Sequence, residues 1–82
     1  MTKEEILQSL TEVFREVFDD NTLVLHDETN ADDIEAWDSY MHINIVVATE
    51  MRFGIKFQTS EIESLRNVGE FVDLIYQKSR RG

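Results

Sequence analysis

The chain has 82 residues, with 17 acidic against 8 basic side chains, a net charge of −9, three glycines, and neither cysteine nor proline. So short a chain buries one thin core; without cysteine it builds no disulfide or thiolate metal site, and the scarcity of turn residues argues against a β architecture. The acidic balance excludes the basic face that a nucleic-acid binder turns to phosphates.

Charge is unevenly placed. Between Glu16 and Met51 there are ten acidic residues and no Lys or Arg, whereas Arg52 to Gly82 carries six basic and four acidic residues. An acidic middle steers cationic protein partners over a distance. Met1-Thr2-Lys3-Glu4-Glu5 is charged and precedes no apolar signal region, and no apolar run approaches membrane-spanning length. The expectation is one domain over residues 1–82, monomeric, cytoplasmic, with no membrane contact.

Thr2 and Glu5 form a capping-box pattern at the start of a first helix. Ile6, Leu10, Val13, Phe14, Val17 and Phe18 recur at spacings of three and four, which predicts an amphipathic helix to about Asp19. From Asp20 to Asp38 no helical period persists. Leu23-Val24-Leu25 is an apolar island, a candidate strand without a partner, and Ile34 and Trp37 are later anchors. So long a connection in a small domain packs on itself or carries function. Its carboxylates do not make a calcium loop. Counted from Asp27, the third, fifth and sixth positions are Thr29, Ala31 and Asp32, where oxygen ligands and then Gly are required. No metal site is expected.

Asp38 is an N-cap residue for a second helix that opens on Ser39 and runs to about Phe53, with Gly54 ending it. Two apolar lines run along it. Ile45, Ala48, Thr49 and Phe53 form one, with Val46 beside it; Tyr40, Ile43, Val47 and Met51 form the other. A bundle helix needs one such line for the core, so the second is either further burial or a docking surface. Gly54-Ile55-Lys56-Phe57 is an extended connector. Ser60 and Glu63 make another capping-box pattern for a short third helix with Ile62 and Leu65 as contacts. The last helix begins around Asn67-Val68 and buries Val68, Phe71, Val72 and Ile75. The tail from Ser79 to Gly82 is expected to fray. The fold class is thus all-α: three main helices, one short third helix and a long first loop.

Self-sufficient catalysis has little to work with. Ser39 and His42 share a helix face, but a nucleophile and base also need an orienting acid, an oxyanion hole and a pocket, for which so thin a core leaves little room. Two histidines far apart, without cysteine, give no metal-ligand pattern. What remains is a hydroxyl at a helix start, where free N–H groups and the dipole favour a phosphate, with Asp38 partly opposing it. On spacing alone, Ser39 reads first as an ordinary capping-region serine, a residue common at helix starts.

Trp37-Asp38-Ser39-Tyr40, followed by Met41-His42-Ile43-Asn44-Ile45, resembles the Asp-Ser-Leu signature of acyl carrier proteins. The resemblance continues through Ala48, Glu50, Phe53-Gly54-Ile55-Lys56-Phe57, Glu61-Ile62, Leu65 and Asn67-Val68 to Phe71 and Ile75. It implies a four-helix carrier bundle and no catalytic activity of its own. Ser39 would carry 4′-phosphopantetheine, transferred from coenzyme A by a separate Mg²⁺-dependent phosphopantetheinyl transferase, and the arm's thiol would hold an acyl group for partner enzymes that load and process it. The resemblance places Asp38 and Tyr40 beside the attachment point, and Tyr40, Ile43, Val47, Glu50 and Met51 on a recognition helix that meets basic docking patches. Ile45, Val46 and Ala48 would face the bundle.

Four departures stand out. Tyr40 replaces the usual Leu. Glu35-Ala36-Trp37 lacks the Gly common before Asp-Ser, so the backbone there must avoid left-handed angles or tolerate their cost. Thr49 stands where a core Leu is typical, suggesting a looser or smaller interior. Met41, His42 and Asn44 leave the recognition helix with Glu50 alone as an acid. These departures point to a specialised carrier, of secondary or surface-polysaccharide type, and not a housekeeping fatty-acid carrier. The alternative reading is an unmodified acidic helical adaptor that binds basic partners.

Overall fold

The computed structural model describes residues 2–34 and 37–79. Four helices follow in order: α1 (Lys3–Phe18), α2 (Ser39–Phe53), α3 (Thr59–Glu63) and α4 (Val68–Ser79), with no strand among the described residues. The Leu23–Leu25 island is therefore not a strand. Leu25 plugs into the core, Leu23 lies against it, and Val24 points outward.

The ends of α1 follow its sequence. Thr2 Oγ1 accepts from the Glu5 amide at 3.1 Å, and the Glu5 carboxylate accepts from the Thr2 amide at 2.8 Å. These bonds satisfy donors that the helix itself leaves open. At the other end Asp19 takes the left-handed conformation at φ 53° and returns its amide to the Arg15 and Glu16 carbonyls. Ile6, Leu10, Val13 and Phe14 are buried, as the spacing requires.

The core joins α1 to Ile45 of α2, Val68, Phe71, Val72 and Ile75 of α4, and Leu25 of the long connection. Thr49, on the inner face of α2, is fully buried, and its hydroxyl donates to the Ile45 carbonyl at 2.7 Å. The hydroxyl that stands in place of a larger apolar side chain is thus satisfied, so its burial carries no large penalty.

The long connection crosses the bundle and is pinned at several points. Arg15 Nε donates to the Leu23 carbonyl at 2.7 Å, and Thr29 is buried with its hydroxyl accepting the His26 amide at 2.9 Å. The Thr29 and Asp27 carbonyls then accept the amides of Val68 and Gly69 at 2.8 and 2.7 Å, capping α4 from a distant part of the chain. Trp37 closes the connection by packing in a T-shaped pair with Phe14, at 5.1 Å and 87°.

Two boundaries differ from expectation. The third helix is capped at Gln58, not Ser60, and the Gln58 amide donates to Glu61 at 2.8 Å. Glu61 also pairs with Lys78 of α4 at 2.9 Å. This tertiary partner favours the frame in which Glu61, and not Glu63, faces the helix start. Ser79 belongs to α4, its hydroxyl donating to the Tyr76 carbonyl. The expectations for Glu35-Ala36 and for Arg80 to Gly82 fall outside the described residues.

Candidate functional site

Ser39 is the first residue of α2 and is exposed. Asp38 precedes it in extended backbone and accepts the Met41 amide at 2.9 Å, while its carbonyl takes the His42 amide at 2.9 Å. One Asp38 oxygen is thus committed to capping. The first turn of α2 contains no acid of its own. The Ser39 and Tyr40 amides are first-turn donors that no intrahelical carbonyl reaches, so the hydroxyl sits in a field that favours a phosphate.

The two lines of α2 separate as their spacing predicts. Ile45, Val46 and Thr49 are buried, and Ala48 is half-buried. Tyr40, Ile43, Val47 and Met51 are 72, 62, 48 and 81% exposed, which makes a continuous apolar stripe running from Ser39 down the helix. Glu50 is placed differently: it is half-buried, and its carboxylate accepts the Phe57 amide at 2.8 Å. It ties the end of α2 to the next connector, and so has a structural task beside the docking one expected of it. Arg52, the basic residue in the last turn, pairs with Glu12 of α1.

Beside Ser39 opens a cleft of about 790 Å³, which the argument from chain length did not anticipate. Trp37, His42 and Ile43 line one side, and Ile62, Leu65 and Phe71 the other. Short α3 has no buried residue and forms one wall of the cleft, held by Leu65 just beyond its end and by the Glu61–Lys78 pair. His42 does not address Ser39. Its Nδ1 accepts the Trp37 indole N–H at 3.2 Å, with the two rings stacked at 6.0 Å and 22°. Burial holds the imidazole below its ordinary pKa, against a smaller opposite pull from the Ile62 backbone. A neutral ring committed to Trp37 is not placed to take a proton from the serine. Among the described residues no group of three or more metal-ligating side chains forms, and no helix is long and apolar enough to cross a membrane.

This geometry has close counterparts. An acyl carrier protein from Acidothermus cellulolyticus is 37% identical over 76 residues, covering 92% of this chain and 89% of that one. The chain belongs to the acyl carrier protein family. A meromycolate extension acyl carrier protein from Mycolicibacterium smegmatis is 33% identical over 75 residues, covering 90% of this chain and 75% of that relative. The solution structure of a holo acyl carrier protein from Geobacter metallireducens superposes with a TM-score of 0.88 at 47% identity, over 93% of this chain and 87% of that one. No protein-family model matches the chain. Membership makes the bundle a carrier fold. The Trp37–His42 bond, the Thr29 pin and the cleft itself went unread in the sequence, because each joins residues whose proximity depends on how the irregular connection folds.

Proposed function

We propose that the chain carries acyl groups as thioesters on a 4′-phosphopantetheine arm esterified to Ser39, and presents them to separate enzymes. The carrying observation is Ser39 itself: an exposed hydroxyl at a capped helix start, directly after Asp38, in a member of the acyl carrier protein family. The residues present fit the group. First-turn amides are open to a phosphodiester, and the neighbouring cleft gives a flexible arm somewhere to lie. The arm supplies a thiol, which a chain without cysteine lacks. The chain's own part is to fix the phosphate end, shield the arm and offer α2 for docking. Asp38 sets the helix start, while Tyr40 flanks the attachment point.

In this reading the protein is a substrate of a phosphopantetheinyl transferase and acts as a single carrier domain over residues 1–82. Loading and processing enzymes meet the stripe of Tyr40, Ile43, Val47 and Met51. That stripe is apolar, with its acid Glu50 engaged by Phe57, which favours specialised partners whose contact is more hydrophobic than ionic. Incubation with coenzyme A, Mg²⁺ and a broad-specificity transferase should add one phosphopantetheine to the intact mass of the native sequence and none to Ser39→Ala. No addition, or equal addition to both, overturns the reading. An unmodified adaptor would instead bind its partners equally well as Ser39→Ala.

A further inference from the structure

The geometry points to the Trp37–His42 hydrogen bond as a pH-operated latch, which ties the end of the α1–α2 connection to the wall of the Ser39 cleft while the imidazole is neutral and releases it on protonation. The indole nitrogen can only donate, so the 3.2 Å contact requires a lone pair on His42 Nδ1. The ring must then be the neutral tautomer with its proton on Nε2. A second proton would set N–H against N–H, leaving the half-buried indole without an acceptor.

The bond is placed where its loss would matter. Trp37 closes the connection, packs at right angles to the Phe14 ring of α1 and lines the cleft. His42 stands one turn into α2 and lines the same cleft. Several charged groups line the cleft that the ring shares. Asp38 from its own helix start and Glu63 from α3 are cleft-lining carboxylates that favour a cation. The stacked indole does too, through its π face. Arg66, from the α3–α4 connection, opposes it. α4 reaches the cleft with apolar Phe71, and α1 reaches the pair through Phe14. Burial holds the imidazole below its ordinary value, the Ile62 backbone pulling the other way. The latch therefore stays shut at neutral pH and opens below the usual imidazole value of about 6.5. It involves no group added to Ser39, so it is tested on the unmodified chain, independently of the carrier reading.

The test follows the Trp37 indole N–H and the His42 ring resonances by NMR from about pH 7.5 to pH 5, the interval around the imidazole's usual value. Trp37 is the chain's single tryptophan, so its fluorescence reports the same event. Expected is one shared midpoint below about 6.5, at which the indole proton moves upfield and the emission shifts to the red while the far-UV helix signal stays constant. His42→Gln offers an amide oxygen to the indole but does not titrate; it should abolish both changes, while His26→Gln leaves them as they are. The latch is overturned by an indole signal that ignores the His42 titration, by a change that persists in His42→Gln, by a midpoint at or above the ordinary value, or by loss of helix at the same midpoint. Should His42→Gln fail to fold, coincidence of the two wild-type midpoints decides the matter.

Discussion

At Gly69 a missing side chain sets the distance between two segments. A β-carbon built there would stand 2.9 Å from the Asp27 carbonyl oxygen and 3.2 Å from the Asp27 β-carbon. In an ordinary helix, replacing Gly by Ala gains up to about 1 kcal/mol through propensity. Here the clash is with backbone that itself accepts the Gly69 amide, and overpacking of this kind costs about 1–3 kcal/mol. The second effect wins, so Gly69→Ala is expected to destabilise, lowering the thermal midpoint by several degrees; a rise would show that the junction has slack. Nothing in the sequence marked Gly69, since its reason lies on another segment. Thr49 is the converse case. Its oddity was legible as a polar residue on a buried line, but its remedy, the bond to Ile45, depends on a rotamer that spacing does not specify.

Among the elements, α2 was readable to its ends because cap, period and stop signal agree, and α1 to within a residue from its cap and period. In α3 two capping patterns overlap, one ending on Glu61 and the other on Glu63, and local chemistry alone cannot choose between them. Lys78 and the connector at Phe57 make the choice. The Glu61 carboxyl is held below its ordinary pKa, first by the Gln58 amide and then by Lys78. A lowered carboxylate lends stability above its unfolded value, near 4.5, and loses it as pH falls through the lower folded value. Acidification below about pH 4.5 should therefore loosen α3, seen as converging amide shifts over Thr59–Glu63, and Glu61→Gln should remove that step. If α3 shifts titrate unchanged in Glu61→Gln, the anchor lies elsewhere.

For the whole molecule, like charges outweigh pairs. Lys3–Asp73, Arg52–Glu12 and Lys78–Glu61 are ion pairs with side chains at least partly in water, each worth about 1 kcal/mol at most. Against them stand a net charge of −9 and an acidic stretch from Glu16 to Met51 with no cation. Raising salt from about 0.01 to 0.15 M shortens the screening length from about 30 to 8 Å, which relieves the long-range repulsion more than it weakens contact pairs. The thermal midpoint should rise; a flat or falling one would mean that the pairs dominate. That charge pattern was plain in the sequence, whereas the path of the acidic connection was not, because it has no period to read. Its course has a further consequence. The first amides of α4 are capped by the Thr29 and Asp27 carbonyls, nearly half the chain away. The last helix thus lacks a complete start until the connection has folded back across the bundle. The two are therefore expected to open together as one cooperative unit, joined by contacts distant in sequence. A fragment ending before α4 would leave Thr29 and Asp27 offering carbonyls to nothing, and a fragment beginning at Val68 would lose the partners that start its helix.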